Sequence, residues 1–562
     1  MKVLIVGGVA GGAGTAARLR RNNEQAEIIM FEKGEYISFA NCGLPYYIGG
    51  VITEKEKLQL QTPQSFHSRF RVDVRVNSEV LAVDTQNRQV TVRNGKTGEE
   101  YRESYDVLVL SPGASPVRPP IPGIEKNKVF TLRNIPDTYA IKEYVESVKP
   151  KTAAVIGGGF IGVEMAENLH EAGVAVTIVE AASHIMANLD EDMTHDLHNH
   201  IRSKGVRLCL NSLAKEFTEN SVLLADGTEI PADMIILSVG VAPETKFLKD
   251  SGIALGRRGE ILVDDRFRTS VPDIYAVGDA IAVRDLVTGQ QGMVPLASPA
   301  NRQARLAADI ICGKDRRYTG AQGTAIAKVF DMAAASTGAN EKQLQANGIA
   351  YRKTFTFSAS HAGYYPGGTS MLVKLLYSPE GKVLGGQIAG YDGVDKRIDQ
   401  IATAVRHGFT VYDLQELELA YAPPFSSAKD PVNMAGYTAS NVLEGTFRPF
   451  YIEDIAALPE DAQLVDVRTP EEYAGGTIGK AVNIPLDSLR ERAGELDRSK
   501  KVYIFCQVGL RGYLAERIAE QMGFDCVNLS GGYRLYHAMQ TDKNSGAEEK
   551  KHYAHCGMET KE

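Results

Sequence analysis

The sequence predicts an α/β protein of several domains, and three observations lead there. Two βαβ patterns, each broken by a run of glycines, begin at residues 2 and 151; a third strand–helix alternation fills 460–540. The length of 562 residues exceeds what one core organises and implies three or four domains of roughly 100–200 residues each. A hydrophobic fraction of 43% and a charged fraction of 23% are those of an ordinary globular protein. The net charge of −8 argues against a nucleic-acid binder, whose footprint is a basic surface. No stretch of about 18 apolar residues occurs. Residues 1–7 read as a strand entering a glycine turn, so neither a membrane span nor a signal peptide is expected, and the chain is placed in the cytoplasm. The six cysteines, at 42, 209, 312, 506, 526 and 556, are too scattered for a disulfide framework or a zinc site. Thiol redox is the chemistry left to them, with no metal.

Residues 2–32 read as β-turn-α-β: the apolar run KVLIV, the glycines of GGVAGG at 7–12, an alanine-rich helix to about Arg21, and a strand, IIMFEK, carrying Glu32. Gly7 suits the tight turn, Gly12 lets helix and strand approach, and Glu32 is placed for a ribose hydroxyl. Val9 stands where the middle glycine of a dinucleotide fingerprint sits, so a glycine turn without a ligand stays open for this copy. In the second copy, KTAAVIGGGFIGVEMAENL at 151–169, Gly157, Gly159 and Gly162 fit the fingerprint without exception, and AVTIVE ends at Glu180. A carboxylate there accepts the two hydroxyls of an NAD ribose and repels the 2′-phosphate of NADP, and no arginine follows in AASHIM. NADH is therefore expected to be preferred and NADPH weaker; a solvated strand end is the plain alternative.

Between the copies lies SFANCGLPYY at 38–47, with a lone cysteine, Cys42. Ser38 and Asn41 before it and the small Gly43 after it suit a helix start, where unpaired N–H groups and the helix dipole favour a thiolate. A thiol so close in sequence to a nucleotide site can exchange electrons with a flavin. A structural cysteine is the competing assignment.

Further on, YDVLVLSPGASPVRPPIPG at 105–123 reads as a buried strand with a Pro/Gly-rich crossover, and TSVPDIYAVGDA at 269–280 as a strand ending in Gly278–Asp279. On these motifs residues 1–445 resemble the pyridine nucleotide–disulfide oxidoreductase family, in its single-cysteine branch of coenzyme A disulfide reductases, NADH oxidases and NADH peroxidases. The resemblance implies FAD, with Gly7, Gly12, Glu32, Lys33, Arg133, Gly278 and Asp279 as its contacts, over 1–149 and 245–324. It implies an NAD-binding domain over 150–244 and a dimerisation domain over 325–446, hence a homodimer. Strands such as KTFTFS and MLVKLLY and a helix through DKRIDQIATAVRHG suit the latter. Two Pro/Gly-fixed loops, HAGYYPGG at 361–368 and AYAPPFSSAKDPVN at 420–433, carry Tyr364 and Tyr421. These resemble the tyrosines that reach across the dimer toward the active cysteine in coenzyme A disulfide reductases.

With no CxxxxC pair, Cys42 cannot form an internal disulfide; it can form a mixed disulfide with a small thiol, or a sulfenic acid. The oxidase and peroxidase relatives carry a histidine where this chain has Ala10, which removes the partner of peroxide chemistry. Coenzyme A is the substrate that the resemblance favours. Ser38 and Asn41 of the SFANC run, with Arg18, Arg21 and Lys429 for phosphates, are the candidate contacts. Phe70 and Asn301 depart from lysine and histidine contacts of relatives, leaving Arg69 and Arg71 to help.

After a linker at 446–456, residues 457–541 resemble a rhodanese domain. The loop CQVGLRG at 506–512 joins strand to helix, so backbone N–H groups surround Cys506, with Arg511 opposite, and favour a thiolate and then a persulfide. Thr477 stands where many rhodaneses carry histidine. The tail, 542–562, is of low hydrophobicity and expected to be disordered. The catalytic candidates are thus Cys42, Cys506, Tyr364, Tyr421 and Arg511. The whole chain resembles coenzyme A disulfide reductase–rhodanese fusions, which implies an NADH-dependent flavoprotein reducing persulfides or polysulfides with release of hydrogen sulfide. A coenzyme A disulfide reductase with an accessory rhodanese, or a non-catalytic persulfide sensor, are the alternatives.

Overall fold

The computed structural model describes residues 1–556, with side chains to Glu549. The chain forms two compact units, Met1–Ala181 with Asn211–Gly323, and Ala182–Leu210 with Thr324–Glu562. The second unit therefore takes in Ala182–Leu210, a stretch that the sequence assigns to the NAD-binding domain.

The first unit runs β1 (Lys2–Val6), α1 (Ala10–Asn22), β2 (Glu27–Phe31), α2 (Leu44–Ile48), β3 (Asp73–Arg75), β4 (Val107–Leu110), β5 (Val129–Phe130), β6 (Thr152–Ile156), α3 (Phe160–Glu171), β7 (Ala175–Val179), β8 (Met234–Leu237), β9 (Ile274–Ala276) and α4 (Ala297–Ile311). One parallel sheet has the order β9-β4-β1-β2-β3, and a second runs β7-β6-β8-β5. The central strands read as unbroken apolar runs because parallel sheets are covered on both faces. Val3, Leu4, Ile5, Leu108, Val109 and Leu110 are all 0% exposed, each such burial being worth about 1.5–3 kcal/mol.

In the second unit the strands β10 (Ala325–Val329), β11 (Met332–Gly338), β12 (Arg352–Ala359), β13 (Ser370–Tyr377) and β14 (Val383–Gly390) form an antiparallel sheet ordered β10-β11-β14-β13-β12. KTFTFS and MLVKLLY are β12 and β13, paired from Arg352↔Tyr377 to Ala359↔Ser370. Helices α5 (Val394–His407) and α6 (Pro431–Leu443) follow. The last sheet comprises β15 (Pro449–Phe450), β16 (Gln463–Asp466), β17 (Val482–Asn483), β18 (Val502–Phe505) and β19 (Cys526–Leu529) in the parallel order β15-β19-β18-β16-β17, with α7 (Leu510–Gln521) starting just after Cys506. The stretch expected as a linker is docked: Tyr451 donates to the Lys353 carbonyl at 2.9 Å and Glu453 pairs with Lys353 at 2.6 Å.

The expected disorder over 542–562 gives way to α8 (Gly532–Cys556); residues 557–562, and the side chains of His552, His555 and Cys556, lie outside those described. Composition registers the tail's lack of apolar area but not the polar surface it meets. Asp542, 7% exposed, accepts from His195 Nδ1 at 2.6 Å, His198 Nδ1 at 2.8 Å and Arg202 at 2.5 Å. Arg202 also pairs with Glu549 at 2.9 Å. The Ile185 N–H donates to His198 Nε2, which leaves Nδ1 to carry the proton toward Asp542 and closes the network. No helix among the described residues is long and apolar enough to cross a membrane.

Candidate active site

The two glycine turns are built alike. Gly7 and Gly157 have φ of +98° and +103°, and their N–H groups donate to Phe31 O and Val179 O, both at 2.8 Å. A Cβ on Gly12 would lie 1.8 Å from Gly7 O, and one on Gly162 1.9 Å from Gly157 O, so only glycine lets each helix seat on its turn. The next N–H in each turn, of Gly8 and Gly158, donates to Glu32 at 2.9 Å and Glu180 at 2.7 Å. Each carboxylate is thereby fixed beside its helix N-terminus, where a ribose and pyrophosphate would sit. Gly159 faces open space, as a pyrophosphate requires. Val9 caps α1 at φ −105°, a backbone that tolerates a side chain, so the departure from the fingerprint leaves the turn intact.

Gly278 (φ +90°) donates its N–H to Gln303 at 2.8 Å and presents Asp279. The Asp279 carboxyl makes no hydrogen bond among the described residues, and burial, against the pull of Arg133, pushes it up. An enclosed carboxylate without a donor suits the hydroxyls of a flavin's ribityl chain. Lys33 is paired with Glu244, which also accepts from Ser115.

Cys42 lies in a 3₁₀ turn, Asn41–Gly43, directly before α2. The turn is pinned from both sides: Ser38 N donates to Gly8 O at 2.9 Å, Ala40 N to Leu58 O at 2.7 Å and Leu60 N to Ser38 O at 3.1 Å. Helix α2 rests on α3 so closely that a Cβ on Gly49 would lie 2.2 Å from Asn168 Oδ1. The thiol is exposed, yet the surrounding protein, with Glu164 and Asp279, pushes it up rather than down. The expected thiolate stabilisation fails in the bare chain: burial is the first cause and the two carboxylates add to it, while α2, only five residues long, offers a weak helix dipole in return. Glu164, not singled out in the sequence, is pushed up to about 7 by burial and faces the Tyr46 hydroxyl at 3.5 Å. Its only signal was a carboxylate two residues past Gly162.

The tyrosine loops meet. Tyr364 and Tyr421, 75% and 47% exposed, share a hydrogen bond at 2.7 Å between their hydroxyls. What joins the loops is Arg397 of α5, 1% exposed, donating to Ser360 O at 2.9 Å, Ser426 Oγ at 3.0 Å and Asp430 Oδ2 at 3.0 Å. Ala362 N completes the clasp on Ser426 O at 3.0 Å. Removing one partner of such a buried pair costs about 3–5 kcal/mol. Arg397 looked like any helix cation in the sequence.

Among the phosphate candidates, Arg18 is already engaged, donating to Asp309 at 2.7 and 3.0 Å, while Arg21 and Lys429 are exposed. The Phe70 ring packs on Phe66, a structural use of that side chain, and its backbone carbonyl accepts from Arg20.

Cys506 is buried at the end of β18, and the Gly509 N–H points at its sulfur from 3.1 Å, as an N–H cradle requires. Arg511 is paired: it donates twice to Glu472 at 2.7 Å and holds that carboxyl down to about 2. A second, buried cation stands behind the loop, Arg468, paired with Asp466 at 2.7 Å and reaching Gln507 at 3.3 Å. Thr477 joins this network through Asp466 at 2.9 Å, so threonine replaces histidine without leaving a gap.

Family models match along the chain: pyridine nucleotide-disulphide oxidoreductase over residues 1–304, its dimerisation domain over 324–431, and a rhodanese-like domain over 452–539. Coenzyme A disulfide reductase of Staphylococcus aureus is 38% identical over 440 residues, 78% of this chain and 99% of that one. The crystal structure of reduced Bacillus anthracis CoADR-RHD is 51% identical, with a TM-score of 0.94 over 96% of this chain and 98% of that one. A NAD-dependent persulfide reductase from A. fulgidus is 34% identical, with a TM-score of 0.90 over 95% of this chain and all of the other. With its paired glycine turns, single cysteine and sulfur loop, the chain belongs to the pyridine nucleotide-disulphide oxidoreductase family and carries a rhodanese-like domain at its C-terminal end.

Proposed function

We propose that the protein is an FAD-dependent reductase that uses NADH to reduce persulfides, coenzyme A persulfide foremost and coenzyme A disulfide with it, releasing hydrogen sulfide. The observation that carries this reading is one chain holding both an exposed thiol, Cys42, in a unit with two glycine turns and a buried thiol in an N–H cradle. The names of the two full-length structural neighbours point the same way.

Glu32, Asp279 and the first glycine turn would hold FAD, which when bound would supply the electron pair drawn from NADH. The Cys42 thiolate attacks the inner sulfur of R–S–SH, the one bonded to R; the S–S bond breaks, HS⁻ leaves, and a Cys42–S–S–R mixed disulfide remains. Two electrons and a proton then release RSH and restore Cys42, so one NADH and one proton yield RSH and hydrogen sulfide. Glu164, pushed up to about 7 by burial, can hold and return a proton near neutrality. The Tyr364–Tyr421 pair, supplied from the partner subunit of a homodimer, donates to the leaving sulfur. Mixing the holoenzyme with NADH and coenzyme A persulfide tests this: catalytic loss of NADH with one hydrogen sulfide per NADH is expected. Flavin bleaching without turnover would favour the sensor instead.

Two further outcomes follow. Tyr364→Phe and Tyr421→Phe should each slow persulfide reduction about 10²-fold while flavin reduction by NADH stays near native. Because the hydroxyls share one hydrogen bond, the double variant should be little worse than either single one, and native rates in the single variants would reduce the tyrosines to packing. Glu180, fixed on Gly158 N–H, should favour NADH over NADPH, and Glu180→Ala should narrow that gap mainly through KM. Equal kcat/KM for the two nucleotides in the native enzyme would show that Glu180 sets no preference.

A further inference from the structure

A cavity of about 250 Å³ in the second unit has no part in the reaction above. Its walls come from three places: Asp196 and Asn199 on the helix His195–Ser203, Met332, Phe357 and Leu372 on the antiparallel sheet, and Arg534 in the first turn of α8. Its charged groups do not pair with each other. Arg534 stacks over the Phe357 ring, 4.7 Å from its centroid. Neither its guanidinium nor the Asp196 carboxylate makes a hydrogen bond or ion pair among the described residues. The two charges therefore face one space without meeting. Burial pushes Asp196 up, against the pull of Arg534 and His195. Asn199 turns its amide N–H to the Ala538 carbonyl at 2.9 Å, which leaves its Oδ1 buried and without a donor.

These gaps select a ligand by charge. An inorganic anion would satisfy Arg534 but face Asp196 unrelieved, and a simple amine would do the reverse. A zwitterion satisfies both: a carboxylate on the Arg534 fork, and an ammonium on Asp196. Beside the polar His200, Ser203, Ser370 and Tyr391, the wall carries Met332, Phe357 and Leu372, a thioether, an aromatic ring and an aliphatic group that suit an aliphatic or sulfur-bearing side chain. We propose that this cavity binds a free α-amino acid with a small aliphatic or thioether side chain. The site also adjoins the sulfur loop, for Arg534 donates its own N–H to Gln507 O at 2.9 Å, next to Cys506.

Calorimetry on the full-length holoenzyme with L-methionine and S-methyl-L-cysteine tests the proposal. Neither probe carries a thiol or a sulfane sulfur, so binding is read independently of chemistry at Cys42 or Cys506 and of the function proposed above. Saturable binding of one ligand per chain is expected. N-acetyl-L-methionine and 3-(methylthio)propylamine, each lacking one charge, should bind at least about tenfold more weakly. Arg534→Met should weaken L-methionine by a similar factor while leaving 3-(methylthio)propylamine unchanged; Asp196→Asn should do the same relative to N-acetyl-L-methionine. The analogue series on the native protein decides the matter even if a variant fails to fold. Absence of saturable binding up to about 10 mM, or equal binding of zwitterion and single-charge analogues, would overturn the proposal, as would binding that both variants leave unchanged.

Discussion

Cys42→Ser is expected to lower persulfide and coenzyme A disulfide reduction by at least about 10³-fold while FAD stays bound and is still reduced by NADH. The substitution removes one sulfur atom and leaves untouched what fixes the dinucleotides, the glycine turns with Glu32 and Glu180 on their N–H groups. The 3₁₀ turn itself is held by backbone bonds from Ser38, Ala40 and Leu60, none of which involves the thiol, so serine should leave its shape unchanged. A hydroxyl in the same place is a far poorer nucleophile at neutral pH. Loss of turnover with normal flavin bleaching, followed in one cuvette, separates this outcome from unfolding. If more than about a tenth of the native rate survives, Cys42 is not the attacking group.

Much of the site could be read from the chain because its parts are local. A glycine turn, the strand before it and the carboxylate at the end of the next strand lie within about thirty residues, and backbone sterics dictate their types. The sulfur loop is likewise a strand, a cradle and a helix in sequence. What could not be read depends on residues far apart. Arg397 joins loops whose anchors, Ser360 and Ser426, lie on either side of it in sequence, and no pattern within α5 announces that role. Glu472 pairs with Arg511 across a gap of 39 residues, an ion pair that the loop motif alone cannot anticipate. The tail failed for the same reason. Asp542 and Glu549 find their partners on a helix more than three hundred residues earlier. Burial, Glu164 and Asp279 push the Cys42 thiol up, and both carboxylates come from stretches more than a hundred residues further along the chain.

Cys506→Ser is expected to leave coenzyme A persulfide reduced at near-native rates and to slow the use of polysulfide or protein-bound persulfide by at least about tenfold. Preformed coenzyme A persulfide can reach Cys42 unaided, so it bypasses the rhodanese-like domain. In the proposed relay, larger or scarcer donors would load sulfur first on Cys506, where Gly509 N–H at 3.1 Å can stabilise the sulfur as thiolate and as persulfide. A covalent tether alone would place one site near the other at millimolar effective concentration. Here the connecting stretch is docked through Tyr451 and Glu453 onto Lys353, which argues against a freely swinging domain and for a mobile carrier thiol. Coenzyme A, with its long flexible arm, has that form. Sulfane sulfur loaded onto Cys506, with excess donor removed, should therefore appear as hydrogen sulfide when NADH and catalytic coenzyme A are added together, and not with NADH alone. If the loaded enzyme gives no sulfide under those conditions while free coenzyme A persulfide is still turned over, the two thiols serve separate reactions. The rhodanese-like domain would then act as an independent sulfurtransferase that shares a chain with the reductase.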